Sequence, residues 1–578
     1  MIRRMVCHPV ASLCLVLTAI LASDCSFAQA QGPLPMPQTP QLIFSTYLGG
    51  STACDSCTDV RTYAQNAASD AQGNTYVTGA TTVKDLPVLN AFQPAPAPNS
   101  TLTAFVAKYD PAGQILWLTY LGGNNETTGI GIAAMPDGGV AVAGLTGSDD
   151  SGPFPTKHAF QDNYAGKADY FVSVFDANGA LRYSSYLGGS DVEGSPGNIY
   201  GDNGSNGNII ATDEHGLVYV TGTTGSGGSG GKTFPVTGNA VQPVFAGGTD
   251  SFLTIVDPAK SGADSLLYSS FLGGKGHDKG HSVVVNSGGE LITASGYTSS
   301  SDFPTINGYR DYPPKDGFSS NGFVTQFKSS KPGDPSSEYT MLYSTYLGAD
   351  STDARDDVYG TALDPNGLIL ATGRTRSADF PMTGPGVPFL FNSAPYLQPG
   401  AAGDQPFLVK IDPSLSGNAS LVYSTFLGGS SKGYGSFCTS VGADSQGKAY
   451  VAGETNAPGV LYSPFPAPPS VFVASPTHFP YTADALITTL QGEGDDAEFM
   501  QVTADGEQLG YSTYLGGTKT DRAYGLAVDP TGNVVVTGIT ASRDFPLKNP
   551  AQPKWPGGTE NAFVTKFSFA SITGGGNR

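Results

Sequence analysis

YSTYLGG (Tyr511–Gly517) and FSTYLGG (Phe44–Gly50) are near-copies of one phrase, placed close to opposite ends of the chain. Between them it returns as WLTYLGG from 117, YSSYLGG from 183, YSSFLGG from 268, YSTYLGA from 343 and YSTFLGG from 423. The seven copies lie 66 to 88 residues apart, a period that indicates a solenoid, a propeller or an array of units. In the copy at 511, Tyr511, Thr513 and Leu515 face one way and Ser512 and Tyr514 the other. Bulky residues on both faces suit a strand in a sheet packed between two other sheets.

Three further phrases recur with it. One ends in a small residue and glycine, as in YVTG from 76 and VVTG from 535. A turn precedes it, as in LDPNG from 363 and VDPTGN from 528. The last reads AFVAK from 104 and AFVTK from 562; its weakest copy is EFMQV from 498, where ALITTL (Ala485–Leu490) competes for the strand. All are short, β-branched or aromatic, and bounded by Gly, Pro, Asp and Asn, which predicts strands joined by tight turns. Each unit is then a four-stranded meander, with strands a to d ending in YSTYLGG. The first copy is a d strand and the last recognisable strand is a c strand. Residues 43–48 are therefore expected to pair beside Ala562–Phe567, which closes a ring and removes the edges an open array exposes. The expected fold class is all-β: one seven-bladed β-propeller of four-stranded antiparallel blades over 42–568.

The run YSTYLGG…AYGLAVDPTGNVVVTGITASRDFPL…AFVTK resembles the SBBP repeat, a β-propeller repeat of bacterial secreted and envelope proteins. The resemblance covers nearly the whole chain after the leader. It implies the propeller and no uniform activity, so it carries over no catalytic residues. Long Pro-rich insertions depart from the pattern.

Composition narrows the classes. Net charge is −20, which opposes binding to nucleic acid. The first thirty residues read as an export signal, with Arg3 and Arg4, the apolar stretch Ala11–Ala22, and a small-x-small site at Ala28–Ala30. Residues 31–41 then form a linker and 569–578 a flexible tail. No later apolar run is long enough for a membrane anchor, and the expected location is secreted, periplasmic or at the cell surface. Cys54 and Cys57 are expected to pair in that oxidising setting, leaving Cys438 free. The expected state is a monomer.

In such a meander the b–c and d–a connections share one face, and nearly all the long insertions fall there. Rigid scaffolds commonly carry function on such loops. The d–a connections hold Asp55, Asp59, Glu126, Asp191, Glu193, Asp278, Asp353, Asp356, Asp357 and Asp521. A ring of carboxylates is a ligand set for Ca²⁺; the plainer reading is solvated loops or turn-fixing hydrogen bonds. GKGHDKGH (Gly274–His281) offers His277, Asp278 and His281 as a metal-binding or proton-transfer group, expected partly exposed at the channel mouth. SGGSGGKT (Ser226–Thr233) nearly matches a phosphate-binding loop, but no helix-forming sequence follows. The reading favours a binding scaffold for an extracellular protein or glycan. A secreted lyase or hydrolase acting at the channel mouth is the alternative.

Overall fold

The computed structural model describes residues 40–194, 207–227, 232–313, 320–349, 355–377, 380–383, 404–428, 436–462, 478–492 and 494–569. They form seven four-stranded antiparallel sheets arranged as blades in a ring. The inner strands are Thr62–Ser69, Thr127–Ala134, Ile210–Thr212, Asp278–Val285, Asp356–Leu363, Phe437–Ala443 and Asp521–Val528, in blades I to VII. Among the described residues the only helical elements are two short 3₁₀ turns. No described helix is long and apolar enough to cross a membrane.

Blade VII is completed by the strand Gln41–Leu48, which pairs with Asn561–Ser568 through Phe44–Lys566, Thr46–Val564 and Leu48–Ala562. Phe44 also stacks on Tyr109 of blade I at 6.2 Å, so this strand fastens two blades. In blade VI the c strand is Asp496–Val502, and Ala485–Leu490 is irregular connection.

The recurring phrases now have physical reasons. In five a–b turns an aspartate, Asp70, Asp213, Asp364, Asp444 or Asp529, accepts backbone N–H bonds from two and four residues on. Asp529, for example, accepts from Thr531 and Asn533, while Gly532 takes a positive φ of 83°. The same aspartate holds the lysine that ends the c strand. Lys566 lies 3.1 Å from Asp529, and Lys410 lies 2.9 Å from Asp364, all four side chains nearly or fully buried.

The glycine of the TG phrase answers to a bulge. Six inner strands carry an extra residue: Gln65, Ile130, His281, Tyr359, Thr439 and Tyr524. The bulge brings the carbonyl two residues before it against the b strand. A Cβ on Gly79, Gly144, Gly296, Gly373, Gly453 or Gly538 would collide with that carbonyl oxygen. Among the described residues blade III shows no such bulge. There the Tyr170 ring of blade II occupies the space beside Gly222.

Candidate functional site

The inner strands are joined to one another around the channel at one level, here called its waist. Each inner strand is the free edge of its blade, and just past the bulges these edges are stitched together. Ser282 Oγ accepts the Thr361 N–H at 3.2 Å, and Ser440 Oγ accepts the Leu526 N–H at 3.2 Å, each from the next blade. Asn208 reaches back to blade II, accepting from Ile132 N at 3.1 Å and donating to its carbonyl at 3.0 Å. Glycines make the close approach possible. A Cβ on Gly131 would lie 2.8 Å from Asn208 Oδ1, and one on Gly525 would lie 2.5 Å from the Asn66 Cα. Blade III's incoming chain crosses here too: a Cβ on Gly207 would strike the Tyr359 carbonyl of blade V.

Below the waist, at the a–b turn end, the channel opens into a funnel of about 340 Å³ lined by all seven inner strands. Its walls mix small apolar side chains, such as Ala133, Val285, Ala443 and Val528, with the polar Asn208, Thr212, Ser282 and Thr361 and with backbone, and none of its described lining residues is ionisable. This cavity lies on the face opposite to the one the long insertions indicate. Sequence reasoning missed it because its signal is an absence of charge, spread over seven short strands.

On the d–a face the predicted residues separate. Asp55 pairs with Lys84, Asp59 with Arg61 and exposed Asp191 with Lys167. Glu126 is half-buried and accepts from Thr101 Oγ1. Asp357 pairs with Arg374 at 2.8 Å. Asp353 lies outside the described residues. His277 is exposed, its Nδ1 3.4 Å from Thr249 Oγ1. His281, expected partly exposed, is buried as the bulge residue of blade IV. It sits between the rings of Tyr297 and Tyr359, with Nδ1 3.1 Å from the Val358 carbonyl. The histidines thus sit at different depths, and no shared pocket joins them among the described residues. Cys54 and Cys57 are bonded to each other, with Cα atoms 5.0 Å apart, and Cys438 is a free, buried thiol.

Glu193, Asp278, Asp356 and Asp521 are buried and tie the blades at their outer corner. Asp278 accepts from Gly274 N and Ser300 Oγ, both at 2.7 Å. Asp521 repeats this with Gly517 N and Ser542 Oγ, and Glu193 with Gly189 N and Thr224 Oγ1. Asp356 does so with Ala349 N, Thr375 and Ser377. Three of these tying acids face a second buried acid that the sequence reading did not single out, at the start of the preceding c strand. These are Asp169 beside Glu193, Asp250 beside Asp278, and Asp496 beside Asp521. Burial pushes Asp169 and Asp250 up to about 7 and Asp496 up to about 8. The signal was available as an Asp two residues before the c-strand Phe in YADYFV and GTDSFL. Among the described residues no three His, Cys, Asp or Glu side chains converge as a metal group.

Blade VI departs from the pattern. Six c strands place Phe opposite the b-strand glycine; blade VI places Glu498 there, opposite Gly453. The phenylalanine has moved one position on and to the other face, where Phe499 stacks on Phe567 at 5.0 Å. Cys438 donates to Glu498 Oε1 at 3.3 Å, and burial pushes the Glu498 carboxyl up to about 8. Its folded-state pKa exceeds the unfolded value of about 4.3, so the folded protein holds the extra proton between these limits. This group's contribution is most favourable below about pH 4 and is lost as pH rises toward 8. Glu498→Gln is expected to remove up to about 1.4 kcal/mol per pH unit of that decline. Denaturant midpoints from pH 5 to 8.5 check this, and parallel profiles for the two proteins would reject it.

The SBBP family profile, described as a beta-propeller repeat, matches residues 510–546. Regulatory protein FlaEY of Caulobacter vibrioides is 26% identical over 188 residues, which cover 32% of this chain and 17% of that protein. Among solved structures, the β-propeller domain of the Trilobed protease from Pyrococcus furiosus aligns at 8% identity. That match has a TM-score of 0.35 and covers 87% of this chain and 94% of that one. The PQQ-bound aldose sugar dehydrogenase of Streptomyces coelicolor aligns at 13% identity and a TM-score of 0.30, covering 76% and 94%.

Proposed function

We propose that this chain, a seven-bladed propeller carrying the SBBP beta-propeller repeat, is an exported binding module that seats a small uncharged group of a partner protein in its central funnel. The observation that carries this reading is the funnel itself: about 340 Å³, walled by small, uncharged side chains from seven strands. Its volume is in the range of small-ligand pockets, and burying an apolar group there gains roughly 25 cal/mol per Å² of apolar surface covered. A wall without ionisable groups supplies no general acid or base, which favours binding over a lyase or hydrolase reaction at this site. The −20 net charge favours a partner with basic residues around the inserted group. Export is supported by Arg3, Arg4, the apolar stretch that follows and the AQA site.

Nile red, a neutral apolar dye, serves as the first probe. It is expected to bind saturably at one site with a rise in fluorescence. The double variant Ala443→Arg/Ala527→Arg places long charged chains in the funnel, at two positions already partly solvent-facing. It should weaken dye binding at least tenfold, or about 1.4 kcal/mol, with little change in thermal unfolding. Unaltered dye affinity in a folded double variant would reject the funnel as the binding site. Peptides selected from a displayed library should lose affinity in the same variant.

A further inference from the structure

Two buried carboxylates that face each other cannot both carry charge without a cation between them. Three of the seven blade junctions have such a pair: Asp169 with Glu193, Asp250 with Asp278, and Asp496 with Asp521. All six side chains are at most 1% exposed. In each acid one oxygen is anchored by donors. Asp250 Oδ2 accepts from Ala246 N at 2.8 Å and Gln242 Nε2 at 3.3 Å, Asp169 Oδ2 has the matching bonds from Ala165 and Gln161, and Asp496 Oδ2 accepts from Gln491 N. The second oxygen of Asp169, of Asp250 and of Asp496 is buried with no hydrogen-bond partner. One such orphan recurring in all three c-strand acids is a built feature.

The c-strand orphans point into the junction. Asp169 Oδ1 lies 2.5 Å from where a Cβ of Gly188 would stand, Asp250 Oδ1 2.7 Å from that point on Gly273, and Asp496 Oδ1 3.0 Å from it on Gly516. The anchored Oδ2 atoms of Asp278 and Asp521 each lie 2.7 Å from the same points on Gly273 and Gly516. The first glycine of each LGG phrase thus leaves room between the two carboxyls. Hydroxyls complete the surroundings, with Ser300, Ser542 and Thr224 on the tying acids. Where the tying acid is missing, a hydroxyl stands in its place and bonds the b strand of its own blade. Thr62 meets Thr81 at 2.7 Å, Thr127 meets Thr146 at 3.0 Å and Ser436 meets Thr455 at 2.8 Å, hydroxyl to hydroxyl.

We propose that each of the three acid pairs holds one hard divalent cation of the Ca²⁺ class, which clamps the c strand of one blade to the start of the next. An all-oxygen set of two carboxylates with neighbouring hydroxyls suits that class over softer metals. The pairs at junctions II/III, III/IV and VI/VII become cation-dependent fastenings.

The test uses the full chain stripped with a chelator and titrated with Ca²⁺ by calorimetry and thermal unfolding. Three equivalents should bind and the unfolding temperature should rise with added Ca²⁺. Asp169→Asn, Asp250→Asn and Asp496→Asn should each remove one equivalent, and the triple variant all three. Should a variant fail to fold, Tb³⁺ luminescence of the unaltered chain gives a second reading. Tyr514 beside Asp496 should sensitise it, and Ca²⁺ but not K⁺ should displace it. Absence of any Ca²⁺-dependent shift, or three equivalents retained by the folded triple variant, overturns the proposal. So does a stripped chain whose stability falls between pH 6 and 9 equally with and without Ca²⁺, because protons then occupy the pairs.

Discussion

Removing residues 40–50 is expected to abolish the cooperative unfolding transition of the intact ring. The strand Gln41–Leu48 supplies the outer edge of blade VII, and Phe44, Tyr47 and Leu48 are almost wholly buried there. At about 1.5–3 kcal/mol for each such side chain, the loss rivals the ~5–15 kcal/mol that separates a typical folded domain from its unfolded state. The deletion also uncovers the backbone edge of Asn561–Ser568, a template for aggregation. It strips Tyr109 of its stacking partner in blade I, so the damage reaches both sides of the seam. Tyr47→Ala is a milder version. It removes the bond from the Tyr47 hydroxyl to the Ser542 carbonyl and the edge contact with Trp555, at an expected ~3–5 kcal/mol. Circular dichroism melts and size exclusion read both. A truncated chain that stays monomeric with an unchanged midpoint would show that the seam does not hold the ring.

Blade number, strand order and the closing strand were legible because they rest on repetition. Seven copies of YSTYLGG, starting on a d strand, admit one closed arrangement. The site was much less legible, for a physical reason. Carboxylates in the d–a connections look alike in sequence whether they face solvent or turn into a junction. Asp191 and Glu193 stand two residues apart, yet the first pairs with Lys167 at the surface and the second is buried against Asp169. His281 looked like a channel-mouth ligand until the bulge of blade IV turned it into the packed interior. Blade VI's EFMQV read as a weak strand because its Phe had slipped one place. What the slip leaves behind, an acid in a phenylalanine slot beside Cys438, needed the register to be seen.

Gly538→Ala is expected to cost about 3 kcal/mol or more, although it adds a single methyl group in a strand and leaves φ in the ordinary range. The added Cβ meets the Arg522 carbonyl oxygen, a backbone atom that cannot swing aside as a side-chain end would. Relief requires moving the inner strand. That strand is fixed by the Tyr524 bulge, by the Asp521 tie to Gly517, and by the Leu526 N–H bond to Ser440 of blade VI. Overpacking of this kind commonly costs ~1–3 kcal/mol even where neighbours relax, and here three separate constraints oppose relaxation. Gly238→Ala is the control. It adds the same methyl group with nothing within 4 Å, and should change stability by less than about 0.5 kcal/mol. The Arg522 carbonyl is displaced toward Gly538 only because the inner strand bulges, so the two substitutions separate the effect of that bulge from the general effect of replacing glycine. Urea midpoints for both variants check it. Equal midpoints would mean that the inner strands yield readily, and that the TG glycine is explained by something other than the bulge.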